Sequence, residues 1–145
     1  MNDLIKLYSG RILALAADIP HLGRLADPDA TEMRRSPLCG SAVTVDLMLE
    51  GGRVADFAQD VKACALGQAA AAVLGRAVIG LSLDEVRKGR DALHRMLAEN
   101  GPAPKAPFED LQVLAPAQAF KNRHASILLS FDATVAAMEA VTVPG

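Results

Sequence analysis

Two cysteines and a histidine are the residues of this chain best suited to metal or sulfur chemistry. Cys39 sits in Pro37-Leu38-Cys39-Gly40, a turn sequence just ahead of an alternating run, and Gly40 leaves room around the sulfur. Cys64 follows a second alternating run and opens an alanine-rich segment. If the two runs pair as a hairpin, the start of one lies beside the end of the other. The two thiols then become neighbours at one end of a sheet. A helix start also offers unpaired amides, which favour an anionic sulfur. His124, in Arg123-His124-Ala125-Ser126, opens the last apolar helix. Two thiolates and one imidazole make a zinc-type donor set with one position open. Each residue also has a plainer reading. Buried, inert cysteines are common, and a histidine at a helix start is often a half-exposed polar side chain. There is no CxxC pair, so the spacing is not that of a zinc ribbon.

Other chemistries find less support. His94 falls mid-helix among charged residues, where Arg87, Lys88, Arg90 and Arg95 read as a solvated face, and His21 lies in a loop. No GxSxG elbow is present, and Gly51-Gly52, Gly75 and Gly80 do not form a phosphate-binding loop. A net charge of −2 supplies no basic face for phosphate backbones, so nucleic acid is not an expected partner. No stretch reaches the roughly 20 apolar residues that span a bilayer. Residues 1–17 are interrupted by Asp3, Lys6 and Arg11, unlike the apolar centre of a signal peptide. Cys39 and Cys64 would pair in an exported protein. Without an export signal the expectation is a cytoplasmic protein whose thiols stay reduced, with no membrane association.

The elements that must position these residues follow from periodicity. At 145 residues, 51% of them apolar but only 3% aromatic, the chain is expected to fold as one domain, 1–145, around an aliphatic core. Leu4, Ile5, Leu7, Tyr8, Ile12, Leu13 and Leu15 predict a helix over 2–17, capped by Asn2 or Asp3 and weakened at Gly10. Residues 18–37, with Pro20, Pro28 and Pro37 among mixed charges, read as a loop. Val43, Val45, Leu47 and Leu49 alternate with other residues over 41–49, and a second alternation runs over 53–61. Between them Glu50-Gly51-Gly52-Arg53 predicts the turn of an antiparallel hairpin. Residues 64–78 predict a buried helix, and Ser82-Leu83-Asp84-Glu85 is a capping box opening a helix that stops at Asn100-Gly101-Pro102. A short helix near 108–114 and a final helix over about 122–141 complete the chain. The class is α+β: a small antiparallel sheet of about three strands, the third from 33–38 or another segment, with helices on one face.

Taken together, these residues resemble the IscU/NifU-type scaffold for iron–sulfur cluster assembly. The resemblance rests on Pro37-Leu38-Cys39-Gly40, on Gly52-Arg53-Val54-Ala55-Asp56, and on Ala63-Cys64-Ala65-Leu66-Gly67-Gln68-Ala69. Tyr8, Ile12 and Pro20-His21-Leu22-Gly23 are similar to the family's N-terminal segment, and Arg123-His124-Ala125-Ser126-Ile127-Leu128 to its C-terminal ligand segment. The resemblance covers nearly the whole chain and implies an IscU/SufE-like fold and no enzymatic activity. It also implies that three cysteines, an aspartate and a histidine gather around a cluster. Cys39, Cys64 and His124 fall on three of those positions, whereas Ser41 replaces the aspartate and Ala125 the third cysteine. Alanine neither carries a persulfide nor ligates metal, so the member is divergent. Cys39, Cys64 and His124 suffice for Zn2+ with a water, or for a labile [2Fe–2S] cluster with a fourth ligand from elsewhere. The implied partners are a cysteine desulfurase or other assembly proteins and apo-protein acceptors, with a homo-oligomer as a further arrangement. The competing readings are a metal-free docking or regulatory protein of the same machinery and, more weakly, a cysteine-based sulfur transferase.

Overall fold

The computed structural model describes residues 9–37 and 40–142. Its elements run α1 (Gly10–Ala16), β1 (Ala30–Arg35), β2 (Ala42–Glu50), β3 (Arg53–Lys62), α2 (Ala65–Ala77), α3 (Leu83–Ala98), 3-10 segments at Glu109–Ala119 and Lys121–Arg123, and α4 (His124–Thr142). The expected class holds: β1, β2 and β3 form an antiparallel sheet in that order.

The hairpin forms where the alternation and the Gly-Gly turn put it. Gly51 and Gly52 both take positive φ, 60° and 80°, which the tight turn requires and a residue with a Cβ resists. The second alternation is not strict. Met48 faces Asp56 and Leu49 faces Val54, so Ala55 is an extra residue in a bulge. That bulge lets Val54 and Phe57, of opposite parity in sequence, both bury their side chains.

Two expectations need correction. The segment 18–37 is not all loop, because Ala30–Arg35 pairs along β2 as the third strand, slightly earlier than 33–38. Its side chains are mostly exposed, so it carries little apolar signal and owes its conformation to the backbone bonds that β2 offers. The helix expected over 2–17 begins, among the described residues, at Gly10. Ser9 is extended and its Oγ accepts from the Ile12 amide at 3.4 Å, which caps the helix at its start. The part over 2–8, with its Asn2 or Asp3 cap, lies outside the described residues.

Val43, Val45, Leu47 and Phe57 join the helices in one apolar cluster. In α2, Leu66 and Leu74 are fully buried, each contributing about 2 kcal/mol. The alanines between them contribute less area and instead set how closely α2 approaches its neighbours. α4 packs against β1, β2, α2 and α3. Lys121–Thr142 is long and apolar enough to cross a membrane by length and composition. Here that apolar character serves the core, where every residue from Ser126 to Phe131 is buried.

The capping box at α3 forms as expected, with Ser82 Oγ accepting from the Glu85 amide at 3.3 Å and Glu85 from the Ser82 amide at 3.0 Å. The 3-10 stretch at Glu109–Ala119, longer than the expected short helix, buries Leu111, Leu114 and Ala117.

The outer edge of β3 is covered. The Gln59 amide donates to the His21 carbonyl and the Gly23 amide to the Gln59 carbonyl, both at 2.9 Å. Further along, the Val54 amide donates to the Leu81 carbonyl at 3.0 Å. Past that edge, the chain reaches the carboxylate of Asp46, which is 0% exposed. Arg24 Nε donates to it at 2.6 Å and the Leu25 amide at 3.0 Å, with Thr31 Oγ1 a further donor. These bonds, Arg24 first, hold the Asp46 carboxyl below the ordinary carboxylate range.

Candidate functional site

Antiparallel register fixes where the site forms. The last β2–β3 pair is Ala42 with Lys62, so the residues preceding β2 and following β3 emerge side by side. Gly40 precedes β2 at φ 71°, a conformation open to glycine and strained for other residues. The Ser36 amide donates to the Ser41 carbonyl at 2.8 Å and the Gly40 amide to the Ser36 carbonyl at 3.2 Å. Cys39, expected in this segment, lies outside the described residues together with Leu38.

Cys64 is the N-cap of α2, in extended conformation and half-buried. Its thiol is free, and its sulfur makes no capping bond to the helix amides. The sulfur instead contacts Ser126 Oγ at 3.6 Å, within sulfur hydrogen-bond range. Ser126 Oγ in turn donates to Ser41 Oγ at 3.0 Å. Ser126 is 1% exposed and Ser41 5%. A three-member chain thus joins the residue preceding β2, the cap of α2 and the first turn of α4.

The contact depends on how closely α2 meets α4. A Cβ at Gly67 would stand 2.9 Å from the Ser126 carbonyl oxygen, 3.0 Å from its Oγ and 2.9 Å from Ala63 Cβ. Only glycine fits that crossing as it stands.

His124 does open the last helix, as expected, and is half-buried. Its Nε2 lies 3.0 Å from the Ala117 carbonyl oxygen at the end of the longer 3-10 segment. A carbonyl only accepts, so Nε2 carries a proton in this contact, and in the neutral ring the lone pair is then on Nδ1. That is the usual arrangement of a metal-ligating histidine, whose second nitrogen donates to a backbone carbonyl. Ala125 is exposed and offers no donor atom. Among the described residues, no three His, Cys, Asp or Glu side chains gather closely enough to hold a metal. The structure therefore brings Cys64 together with two serines, and the place of Cys39 in the set is not described.

Ser126 has no counterpart among the sequence-predicted ligands. The signal available for it was one hydroxyl two residues after His124, at the head of the apolar run Ile127-Leu128-Leu129. His21 and His94 stay apart from this group. The His21 ring meets Phe57 edge-on at 6.1 Å, and His94 is exposed on α3. Perturbed acids also lie elsewhere. Asp132 on α4 is raised by burial, an effect that Arg90 opposes. Glu85 is lowered by its bonds to Ser82 and by Arg53. A groove of about 550 Å³ between α3 and residues 102–108 is lined by Lys88, Ala92, Arg95, Pro104, Lys105 and Phe108, among others, and shares no residue with the thiol cluster.

Comparison with known proteins gives this geometry a context. The family model of the NifU-like N-terminal domain matches residues 7–125. Among solved structures the chain is similar to the N-terminal part of a nitrogen-fixing NifU-like protein from Brucella abortus. The identity is 48%, 97% of each chain is covered, and the TM-score is 0.94. It is also similar to a protein from Fervidobacterium islandicum described as an iron–sulfur cluster assembly scaffold for the SUF system. There the identity is 18%, with 92% of this chain and 98% of that one covered and a TM-score of 0.83. A third similar structure, of a hypothetical protein, has 22% identity, coverage of 93% and 98%, and a TM-score of 0.79. The last two establish the fold alone. No curated protein matches the chain.

Proposed function

The chain belongs to the NifU-like N-terminal domain family, and from that premise we propose that it is a divergent scaffold or carrier for iron–sulfur clusters, not an enzyme. The observation that supports this most directly is the Ser41–Ser126–Cys64 chain. It joins the three segments that carry the proposed ligands: the residues before β2, the cap of α2 and the first turn of α4.

In this reading Cys39, Cys64 and His124 hold the cargo. The donor chemistry suits a labile [2Fe–2S] cluster or Zn2+: two thiolates and an imidazole, with a fourth ligand from water, a thiol or a partner chain. His124 contributes Nδ1, because Nε2 is engaged by the Ala117 carbonyl. Ala125 removes the residue that would otherwise accept sulfur. Sulfur is therefore supplied by a cysteine desulfurase or another assembly protein, and the cluster leaves to apo-protein acceptors. Half-burial of Cys64 suits both steps, since a sulfur sealed in the core could not exchange its ligand.

Metal, iron and labile sulfide would be measured on purified chain, before and after anaerobic reconstitution, for wild type and for Cys39→Ala, Cys64→Ala and His124→Ala. The expected result is stoichiometric metal or cluster that each substitution removes or weakens. Trace metal indifferent to all three substitutions overturns the reading and leaves a metal-free docking protein of the same machinery.

A further inference from the structure

The Cys64 sulfur has a neighbour that the ligand set does not explain. Ser126 buries a hydroxyl at the head of an apolar helix, where alanine would pack without a polar cost. The buried hydroxyl of Thr134 answers that cost locally, donating to the Ser130 carbonyl at 2.7 Å, while the buried Ser130 hydroxyl has no partner among the described residues. Ser126 does not bond back to its own helix in this way. Its hydroxyl points across to Ser41 at 3.0 Å and to the Cys64 sulfur at 3.6 Å.

We infer that Ser126, backed by Ser41, is the hydrogen-bond donor to the Cys64 sulfur when that sulfur is bound to metal or cluster, and so positions and tunes this ligand. The inference rests on Cys64 being a ligand, as proposed above. The inventory of hydrogens supports it. A hydroxyl has one hydrogen to give and two lone pairs to receive. In the free protein Ser126 Oγ donates to Ser41 Oγ, and with its one hydrogen spent there the Cys64 thiol is able to supply its own to the 3.6 Å contact. A metal-bound sulfur has lost that hydrogen and only accepts. Ser126 then turns its hydrogen to the sulfur, with its oxygen still 3.0 Å from Ser41 Oγ. No heavy atom needs to move, because 3.0 Å and 3.6 Å serve either direction. Gly67 keeps the spacing fixed, since the approach of α2 to Ser126 leaves no slack. Hydrogen bonds to ligand sulfurs lower the charge they donate and are a known means of tuning such centres.

The experiment is an anaerobic Co2+ titration of the full chain, reading the sulfur-to-cobalt charge-transfer band in the near ultraviolet. Wild type, Ser126→Ala, Ser41→Ala and Cys64→Ala are compared, with thermal unfolding of each metal-free chain to establish folding. Ser126→Ala is expected to weaken Co2+ binding roughly 10-fold and to move the band to longer wavelength, because an unbonded sulfur gives up electron density more easily. Ser41→Ala keeps the donor but removes the group backing it, and shifts both readouts in the same direction by less. A folded Ser126→Ala chain with wild-type affinity and band position overturns the inference. Where that variant does not fold, a Ser41→Ala chain indistinguishable from wild type overturns it. A wild-type chain with no charge-transfer band, or one whose band Cys64→Ala leaves intact, removes Cys64 as a ligand and the inference with it. A purely structural serine pair would lower the melting temperature and leave the band where it is.

Discussion

Gly67→Ala sets two energies of opposite sign against each other. Replacing glycine by alanine inside a helix gains up to about 1 kcal/mol by propensity, and less in the first turn, where Gly67 lies. Against this, the added methyl would meet the Ser126 carbonyl oxygen and Ala63 Cβ at 2.9 Å and Ser126 Oγ at 3.0 Å. One of those atoms is backbone, so a rotamer change cannot relieve the overlap and the helices must part. Overpacking of this kind costs about 1–3 kcal/mol. The steric term wins, and the expected net loss is about 1–2 kcal/mol. For a chain of this length that lowers the melting temperature by roughly 2–8 °C. Circular dichroism melts and urea titrations with an unchanged slope would measure it. The double variant Gly67→Ala/Ser126→Ala should lose less than the sum of the single losses, because removing Oγ relieves one of the three contacts. A Gly67→Ala chain as stable as wild type, or more so, refutes the claim that this crossing is closed by contact.

Three further outcomes follow from other contacts. Gly89→Ala would place a methyl 2.4 Å from the ring of Phe108, which is buried against Phe131, so stability should fall by about 1–3 kcal/mol in chemical denaturation despite the gain in helix propensity. Ser82→Ala removes the cap of α3 and should cost about 1 kcal/mol, read as a lower urea midpoint. Asp46→Asn should cost about 2 kcal/mol near neutral pH, from weakened charge-assisted bonds. Because the folded state holds the Asp46 carboxyl below its unfolded value, its contribution is complete above about pH 4 and fades as pH falls through the lowered value. The gap between wild type and Asp46→Asn should therefore narrow in acid, and a gap constant from pH 6 to pH 2 would count against the assignment.

What the sequence made legible were features written in adjacent residues. Alternation over 41–49, the Gly51-Gly52 turn and the Ser82–Glu85 capping box each specify their own geometry. The side-by-side exit of the residues before β2 and after β3 follows from the hairpin alone, and Ala42 does face Lys62. Other features depended on distant partners. β1 is polar and mostly exposed, so only β2 beside it reveals a strand. The bulge at Ala55 is a response to packing that lets Val54 and Phe57 share one core. Ser126 meets Ser41 across 85 positions of sequence, through a helix crossing that no local pattern encodes. Ser41 was visible only as a missing carboxylate, and its role as a hydroxyl partner emerged from the fold.

The covering of β3 has a consequence for how copies of this chain meet. Backbone donors and acceptors along a sheet margin invite another polypeptide to zip on, which is how many proteins clump. One margin here is already occupied by the chain's own residues around His21–Gly23 and Leu81. The opposite margin is β1, six residues long and carrying Glu32, Arg34 and Arg35, too short and too charged to template a fibre. Growth of the sheet from one copy of this chain into the next is thus hindered at both margins.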